Sequence, residues 1–385
     1  YGDHRDLHSF PTRRSSDLTF TQFAPVPKSE FEGIDPLQVQ QAPFFQHPIG
    51  CGPFMVEEVN MKNYTILAPF DKYYNGVADF KIQMLPSAGD SDPNVVTRAK
   101  SGNLDYGYTK MISDVQALEG TPGITVTPID VRYTRLFFLN KFDKQDGSPA
   151  PLADARVRQA IRYAIDMSTI CETLFQGAAV PANAMAPDAN LKDSSLNDYN
   201  YDPAKAKELL ADAGWDANTT IKVVYYYTDQ ATVDLMTAIQ AYLADVGIKM
   251  EFELVEGDLA TILWAAPADQ TNGPRAVDWD MCYAANAALS LHEYYDRYRT
   301  GSPTNSHTPE DAELNRLIDA TNASADVNAQ NKAFKDLIKY ENENMFTMAL
   351  YYQPIFLITS DKIGDIQLGT PQFCINWDIQ NWNVQ

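Results

Sequence analysis

The side chains best suited to acid–base or metal chemistry are sparse in this 385-residue chain. Outside the first eighteen residues, the histidines are His47, His292 and His307. His47 lies beside a proline in a predicted loop, and His307 precedes a helix cap predicted at Thr308. We therefore expect these two imidazoles to be solvated or to cap the helix rather than to act in catalysis. No G-x-S-x-G, H-E-x-x-H, P-loop or G-x-G-x-x-G motif stands in the required context, so the motifs do not indicate an enzyme.

The carboxylates and cysteines do not indicate a catalytic or metal site more clearly than the histidines do. Paired Asp or Glu side chains could hydrolyse a glycosidic bond, and a carbohydrate hydrolase stays an alternative because sequence alone does not place two carboxyl groups across a cleft. The four cysteines are Cys51, Cys171, Cys282 and Cys374, and they form no C-x-x-C pair. This spacing argues against zinc or redox chemistry and leaves a disulfide open. We expect no cofactor and no bound metal.

Tyrosine and phenylalanine are abundant where predicted strands end. Most aromatic residues at strand spacing belong to a core, and we expect that of the majority here. Tyrosine also combines a large apolar face with a hydroxyl group, which suits a site that holds varied ligands. The aromatic residues concerned are Tyr106, Tyr108, Phe137, Phe138, Tyr225, Tyr226, Tyr227, Tyr283, Tyr294, Tyr295, Tyr351 and Tyr352.

Charge and length limit the class of protein. The formal net charge is −21 and there is no basic stripe, so nucleic acid and anionic lipid are poor candidates as partners. No apolar run reaches the length of a membrane span, which predicts a soluble chain. The length exceeds that of one typical domain and predicts two lobes.

The elements that must position these side chains change type along the chain. Up to the polar loop at residues 141–151, the pattern is mainly of short strands. It predicts strands at Met55–Val59, Tyr64–Leu67, Phe80–Leu85, near Tyr106 and at Val131–Asn140, with a helix at Asp92–Lys100. From Asp154 to Gly177 the apolar spacing predicts one helix, capped by Asp154 and ended by Gly177.

The second half reads as alternating helices and strands. The predicted elements are a helix from Asp202 to Gly214, a strand at Thr220–Thr228, a helix at Ala231–Val246, a strand at Ile248–Val255, helices from Thr308 and at Asp326–Glu343, and a strand at Thr347–Ile358. The strand–helix–strand run from Thr220 to Val255 predicts a βαβ unit, right-handed if its strands are parallel.

Five short motifs occur in a fixed order. They are G-C-G-P-F at residues 50–54, R-A-K-S-G-N-L-D-Y at 98–106, R-V-R-Q-A at 156–160, Y-D-P-A-K-A-K-E-L-L at 201–210 and Y-Y at 351–352. Each motif alone is weak, but the five in this order are a strong signal. From Phe20 to Gln385 the chain resembles the extracytoplasmic solute-binding proteins, family 5, of oligopeptide- and dipeptide-type ABC importers.

This resemblance implies an α/β fold, the two-lobe clamp of periplasmic-binding-protein type II, peptide-binding class. It places residues 19–133 in lobe I, residues 134–350 in lobe II and residues 351–385 in a return to lobe I. The implied function is capture of a small solute, a peptide or an oligosaccharide, outside the cytoplasm for delivery to ABC permease subunits. We expect a monomer in the periplasm or on the cell surface as a lipoprotein; a sensing receptor would have the same sequence.

The first eighteen residues read differently. Tyr1–Leu18 back-translate, codon by codon, to a sequence that resembles a short-read sequencing adapter, so we expect them to be an artefact. The natural chain would then begin earlier than this reading frame, and the first lobe would be incomplete.

The resemblance also implies a ligand site. Tyr108, Tyr351 and Tyr352 match ligand-facing tyrosines of the oligopeptide binders, and Tyr106 faces either core or cleft. The remaining predicted ligand-binding residues are Leu136, Tyr283 and Asn286. Asn286 stands near the place of an acid that pairs with a peptide's α-ammonium group in the family. An amide supplies no charge, so we expect a ligand that needs no free ammonium.

Overall fold

The structure is a computed structural model that describes residues 26–60, 62–87, 92–129, 133–287, 291–364, 366 and 378–385. The described residues form two compact units. The large unit comprises residues 133–354, and the small unit comprises residues 26–129 together with 355–385 within these bounds. Tyr1–Leu18, read as adapter-derived, lie outside the described residues.

Strands occur in both units. In chain order they are β1 (Phe54–Asn60), β2 (Tyr64–Pro69), β3 (Ile82–Met84), β4 (Tyr106–Thr109), β5 (Ile124–Ile129), β6 (Tyr133–Leu139), β7 (Val180–Pro181), β8 (Thr220–Tyr225), β9 (Lys249–Leu254), β10 (Met281–Ala287), β11 (Thr347–Tyr352), β12 (Ile355–Ser360), β13 (Ile363–Gly364) and β14 (Asn383–Val384).

The α-helices lie mostly in the large unit. They are α1 (Val95–Lys100), α2 (Ile112–Leu118), α3 (Ala155–Ala164), α4 (Met167–Thr173), α5 (Pro203–Asp212), α6 (Gln230–Asp245), α7 (Leu259–Trp264), α8 (Leu291–Asp296), α9 (Ala312–Ala320) and α10 (Val327–Asn344). Short 3₁₀ turns lie at Lys28–Phe31, Pro36–Gln41, Pro43–Gln46, Ala189–Leu191 and Ile379–Asn381.

The small unit contains two three-stranded antiparallel sheets and a two-stranded pair. The sheet orders are β1-β2-β3 and β4-β12-β5, and β13 pairs with β14. Helices α1 and α2 pack beside the second sheet, where Val95, Ala99, Leu118 and Ile358 form a small buried cluster. The strand β12 thus contributes the central strand of a sheet whose other strands come from far earlier in the chain.

A six-stranded mixed sheet forms the centre of the large unit, in the order β7-β11-β6-β10-β8-β9. Strand β6 is antiparallel to β11 and β10, whereas β10, β8 and β9 are mutually parallel. All seven residues of β6 are buried, as expected for a central strand covered on both faces.

Alternation along β6 divides the core of the large unit in two. Phe137 and Leu139 point to one side, which we call the first face, and α3, α4, α5 and α6 cover it. Leu136 and Phe138 point to the opposite side, the second face, which α7, α8, α9 and α10 cover. Successive side chains of a strand alternate between faces, so neighbours in the sequence of β6 belong to different cores.

Aspartate begins most helices of the large unit. At the start of each of these helices, a side-chain oxygen of the capping aspartate accepts a hydrogen bond from a backbone N–H group. The capping residues are Asp154, Asp166, Asp202, Asp229, Asp258, Asp311 and Asp326. Such a cap satisfies a backbone donor that has no partner within the helix. The predicted cap at Asp154 is confirmed, and the helix predicted from Asp202 begins with that residue as its cap.

The single helix predicted for Asp154–Gly177 is wrong, because this segment forms two helices. Ile165 adopts an extended conformation after α3, and Asp166 then caps α4 by accepting a hydrogen bond from the amide of Thr169. A capping aspartate competes with helix continuation for the same backbone donors. Gly177 does have the positive φ that was expected for it.

Two further predictions of boundaries need correction, and one is confirmed. The predicted strand at Thr347–Ile358 is two strands, β11 and β12, separated at residues 353–354, where Pro354 has no N–H to donate to a ladder. The helix expected to begin at Thr308 is capped by Asp311. Strands β8 and β9 are parallel and joined by α6, as the βαβ pattern predicted.

Two general features concern the described residues alone. Among them, no helix combines the length and apolar character needed to cross a membrane. Cys51, Cys171 and Cys282 are free thiols, the first exposed and the others buried. Cys374 lies outside the described residues.

Candidate functional site

The predicted ligand residues of the large unit fall on both faces of its sheet. Tyr283 and Tyr351 lie on the first face, in the same core as Phe137. Asn286 and Tyr352 both pair in register with Thr134, whose side chain points to the second face. Leu136 also lies on the second face and has no exposed surface. The structure therefore brings these residues together as two separate groups.

Tyr283 and Tyr351 meet directly on the first face. Their hydroxyl oxygens are 2.7 Å apart, so one phenol donates a hydrogen bond to the other. A bulge between Ala349 and Tyr351 in the β11–β6 ladder sets Tyr351 opposite Arg135. Burial raises the pKa of both phenols, which keeps them protonated at neutral pH.

Arg135 is a functional candidate that the sequence predictions missed. Its Nε donates to Oε1 of Gln353 at 3.0 Å. Its Cζ lies 4.2 Å from the ring centroid of Tyr227, 5.1 Å from that of Tyr133 and 5.8 Å from that of Tyr283. The signal in the sequence is a cationic residue inside the otherwise apolar and hydroxyl-bearing strand Tyr133–Leu139.

The guanidinium of Arg135 is buried without an anion. The residue is 7% exposed, and its Nη1 is buried with no hydrogen-bond acceptor. Among the described residues no carboxylate forms an ion pair with it. Burying an unpaired ion costs several kcal/mol, whereas a cation–π contact returns about 0.5–2 kcal/mol. The tyrosine rings therefore offset only part of the cost.

Tyr352 and Asn286 have internal partners on the second face. The Tyr352 hydroxyl donates to the carbonyl of Ala184 at 2.8 Å and accepts from Nζ of Lys192 at 2.5 Å. The Asn286 amide donates to Sδ of Met185 at 3.1 Å and to the carbonyl of Tyr294 at 3.3 Å. A solute on this face would have to compete with these contacts.

Buried ionisable groups also lie near Tyr352. Burial raises the pKa of Glu341 to about 8 and lowers the pKa of Lys192 to about 8. Burial lowers the pKa of Lys141 as well, with a further contribution from Arg158. The loss of hydration outweighs the mutual attraction of these groups, so each shifts toward its neutral form.

A polar cavity of about 310 Å³ opens on the large unit beside Tyr352. Its lining includes Arg162, Asn183, Lys192, Asp198 and Tyr201. The three guanidinium contacts of Arg162 are to backbone carbonyls, and the Asn183 amide donates to Asp198. These polar groups are thus largely satisfied within the protein.

In the small unit, Tyr106 and Tyr108 lie two residues apart on β4, so their side chains leave the same face of the strand. Tyr108 is 38% exposed. Tyr106 is half-buried and packs its ring 4.9 Å from that of Trp382, and burial raises the pKa of its phenol. Tyr108 is therefore the more accessible of the two tyrosines.

The histidines differ from each other in position. His47 is exposed, as predicted. The expectation that His307 would be solvated or capping is wrong, because its ring is fully buried and stacks 5.1 Å from Phe138. Burial lowers its pKa, so it is neutral at physiological pH. Within the part of the chain that the structure describes, no three His, Cys, Asp or Glu side chains cluster in a way that could hold a metal ion.

The sequence and the fold both match known proteins. A model of the bacterial extracellular solute-binding proteins, family 5, matches residues 10–308. A Brucella ovis protein, whose name provisionally describes it as an ABC transporter peptide-binding protein, is 29% identical over 238 residues. That alignment covers 60% of this chain and 43% of the relative, so the match spans less than half of the relative's length.

Solved structures share the fold over nearly the whole chain. CtaP of Listeria monocytogenes, an ABC transporter substrate-binding protein, superposes with a TM-score of 0.79 at 18% identity, covering 95% of this chain and 72% of CtaP. The oligopeptide-binding protein AppA of Bacillus subtilis, solved with a nonapeptide, gives 0.73 at 18% identity, covering 94% and 72%. The predicted two-lobe α/β fold of the type II, peptide-binding class is confirmed.

The chain belongs to the bacterial extracellular solute-binding proteins of family 5. The resemblance carried by the five ordered motifs is thereby confirmed.

Proposed function

We propose that the protein is the substrate-binding component of an ABC importer, which captures a peptide or another small polar solute outside the cytoplasm and delivers it to permease subunits. The observation that carries this proposal is the match of the family to most of the chain, together with the shared fold of CtaP and AppA. Proteins of this class bind a solute and release it unchanged, so the proposal includes no catalytic step.

The two compact units support an assignment to lobes. We propose that the large unit is lobe II and that the small unit belongs to lobe I, with residues 355–385 as the return. In the sequence, the boundaries between the units fall at residues 131–132 and 354–355, so there are two crossing segments. A monomer located outside the cytoplasm is part of the same proposal.

We propose ligand-contacting residues in each unit by itself: Tyr108 in the small unit, and Tyr283 and Tyr351 in the large unit. Tyr108 has exposed aromatic surface, and the phenol pair of Tyr283 and Tyr351 lies beside Arg135. Tyr106, Asn286 and Tyr352 are weaker candidates because each already packs against or bonds to the protein. Leu136 is left out, because its side chain is wholly enclosed.

Calorimetric titration tests the function. We expect the chain to bind short peptides with a Kd of about 1 μM or tighter, which corresponds to about 8 kcal/mol, and to return the peptide intact. A panel of oligosaccharides serves as the competing class of solute. Binding of no peptide and no other solute, or conversion of a solute to products, would contradict the proposal.

A pair of tyrosine variants in the small unit tests the site. Tyr108→Ala should weaken peptide binding at least tenfold, because a ligand-facing ring is lost. Tyr74→Ala is the matched control, since Tyr74 is 88% exposed and lies outside the proposed site. Equal binding by the two variants and the unaltered chain would remove Tyr108 from the site.

A further inference from the structure

Arg135 differs from the other buried arginines of the large unit in what its guanidinium contacts. Arg158 donates to four backbone carbonyls, and Arg162 donates to three. Arg275 pairs with the buried carboxylate of Asp280 at 2.7 Å. Arg135 has one hydrogen bond, to Gln353, and its buried Nη1 has no acceptor. Its charge and its donors are thus only partly compensated by the protein.

The hydroxyl groups around Arg135 supply further donors. Tyr226 and Tyr227 share one hydrogen bond between their hydroxyls at 3.0 Å, and Tyr283 and Tyr351 share another at 2.7 Å. Each pair holds two hydroxyl protons and uses one of them internally, so one proton per pair is free to donate elsewhere. Burial raises the pKa of the Tyr226, Tyr283 and Tyr351 phenols, so these three stay protonated and contribute donors and no negative charge to the surroundings of the guanidinium.

Several neighbours of Arg135 are partly exposed. The residue opposite Arg135 on β10 is Ala285, which is small and half-buried. Tyr227 and Gln353 are also half-buried. In the sequence, Arg135 follows the first crossing segment by three residues, and Gln353 directly precedes Pro354 at the second. The group is therefore buried yet bordered by solvent-accessible side chains.

A carboxylate is the group that these donors fit. Its two oxygens accept hydrogen bonds in the geometry that a guanidinium offers, and its single charge balances the single charge of Arg135. A phosphate carries about −1.5 to −2 at neutral pH, so one arginine without a second cation would leave part of that charge uncompensated. A neutral sugar would leave the buried cation unpaired.

We propose that Arg135 binds a carboxylate of the captured solute, so the solute is an organic acid such as a peptide with a free C-terminus. This inference rests on the proposed function and deepens it by naming the chemical class of ligand. It is independent of the expectation for Asn286, which concerns the amino end of a peptide. Together they describe a solute whose carboxylate is recognised and whose ammonium group is not required.

Competition between two peptide libraries tests the inference. An equimolar library of tripeptides without Asp or Glu is offered to the chain as free acids and as C-terminal amides, and bound peptide is measured by native mass spectrometry. We expect the free acids to bind at least tenfold more tightly than the amides. In Arg135→Met, which keeps an unbranched side chain but removes the guanidinium and its charge, the acids and amides should bind equally.

A control variant and two further results separate the inference about Arg135 from the proposed function. Lys192→Met removes a half-buried cation on the second face and should leave the preference for acids unchanged. Equal binding of acids and amides by the unaltered chain would overturn the inference while leaving the proposed function intact. This comparison needs no variant and stands even if Arg135→Met fails to fold. Binding of phosphorylated amides in place of acids would point to phosphate, and binding of no solute by the unaltered chain would overturn both proposals.

Discussion

Arg135 and Arg158 are both buried arginines of the large unit, but they differ in how their donors are used. Arg158 is 4% exposed, and its nitrogens donate to the carbonyls of Leu152, Ala153, Asn344 and Met345 at 2.6–2.8 Å. Arg135 is 7% exposed and makes one hydrogen bond, to Gln353. The guanidinium of Arg158 uses its N–H donors on backbone carbonyls and so joins segments of the fold. The guanidinium of Arg135 has N–H donors without acceptors, and we take these unused donors to indicate a ligand.

The comparison also explains the motif R-V-R-Q-A at residues 156–160. Arg158 and Gln159 donate to carbonyls at Glu343, Asn344 and Met345, where helix α10 ends. Arg156 donates to the carbonyl of Asp212 at the end of α5 and pairs with Asp154. The motif thus holds helix ends together. Its role in these contacts is structural, although the family is recognised by it.

The largest effect should follow removal of the saturated arginine. Arg158→Met leaves four buried or half-buried carbonyls without their donors, so we expect a loss of about 3–5 kcal/mol in the free energy of unfolding. Arg156→Met is the matched control from the same motif and should cost less than about 1 kcal/mol, because Arg156 is exposed. Urea denaturation measures both. Similar losses of stability for the two variants would show that Arg158 stabilises the fold no more than an exposed arginine does.

The next largest effect concerns the phenol beside Arg135. Tyr351 is 2% exposed and packs its ring 4.5 Å from that of Phe175, so Tyr351→Ala should lower the free energy of unfolding by about 3 kcal/mol. Tyr351→Phe removes the hydroxyl alone and should cost about 1 kcal/mol while weakening binding of the free acid. If Tyr351→Phe binds acids as the unaltered chain does, the hydroxyl takes no part in the site.

Glu341, near Tyr352, should make the free energy of unfolding depend on pH. Glu341 has a pKa of about 8 when folded and about 4.5 when unfolded, so the folded state holds its proton through that interval. The stability contributed by this proton is fully present below about pH 4.5 and is lost as the pH rises through about 8. Glu341→Gln cannot ionise. Its unfolding free energy should therefore rise relative to that of the unaltered chain by roughly 1 kcal/mol per pH unit across the interval.

Thermal denaturation at several pH values measures this difference. A difference between Glu341→Gln and the unaltered chain that is constant from about pH 5 to about pH 8 would show that the carboxyl ionises in the folded state. Glu343→Gln is a suitable control, because Glu343 is exposed at the same end of helix α10 and pairs only loosely with Lys339 at 3.8 Å.

The smallest effect on stability is expected at Arg135 itself. Removing an unpaired buried charge relieves its desolvation cost, and the tyrosine rings lose only their cation–π contacts. Arg135→Met should therefore raise the free energy of unfolding, or lower it by less than about 1 kcal/mol. A loss comparable to that of Arg158→Met would show that Arg135 also supports the fold and would weaken the contrast between the two arginines.

Sequence patterns predicted most elements of the fold because local physics determines them. The caps at Asp154 and Asp202, and the parallel pair β8 and β9, follow from side-chain chemistry and periodicity. The break between α3 and α4 was missed, because the apolar spacing on both sides of Asp166 fits one continuous helix. Its capping role depends on the backbone of Ile165, which periodicity does not specify.

The candidate site was only partly predictable. Alternation along β6 places Leu136 and Arg135 on opposite faces of the sheet, but it does not show on which face hydrogen-bond donors lack acceptors. The bulge between Ala349 and Tyr351 changes the alternation within β11, so Tyr351 joins the face of Arg135 and Tyr352 the other. Strand pairing and bulges are long-range features. Arg135 was therefore recognisable as functional only after its neighbours were in place.

The most direct test of the account is to identify the solute that the protein retains when purified. Mass spectrometry of the material released from the unaltered chain should reveal a small organic acid, such as a peptide with a free C-terminus, and Arg135→Met should release far less of it. Lys192→Met should release as much as the unaltered chain. A neutral solute, such as an oligosaccharide, released in equal amounts from all three proteins would contradict the central claim that Arg135 recognises the carboxylate of a captured solute.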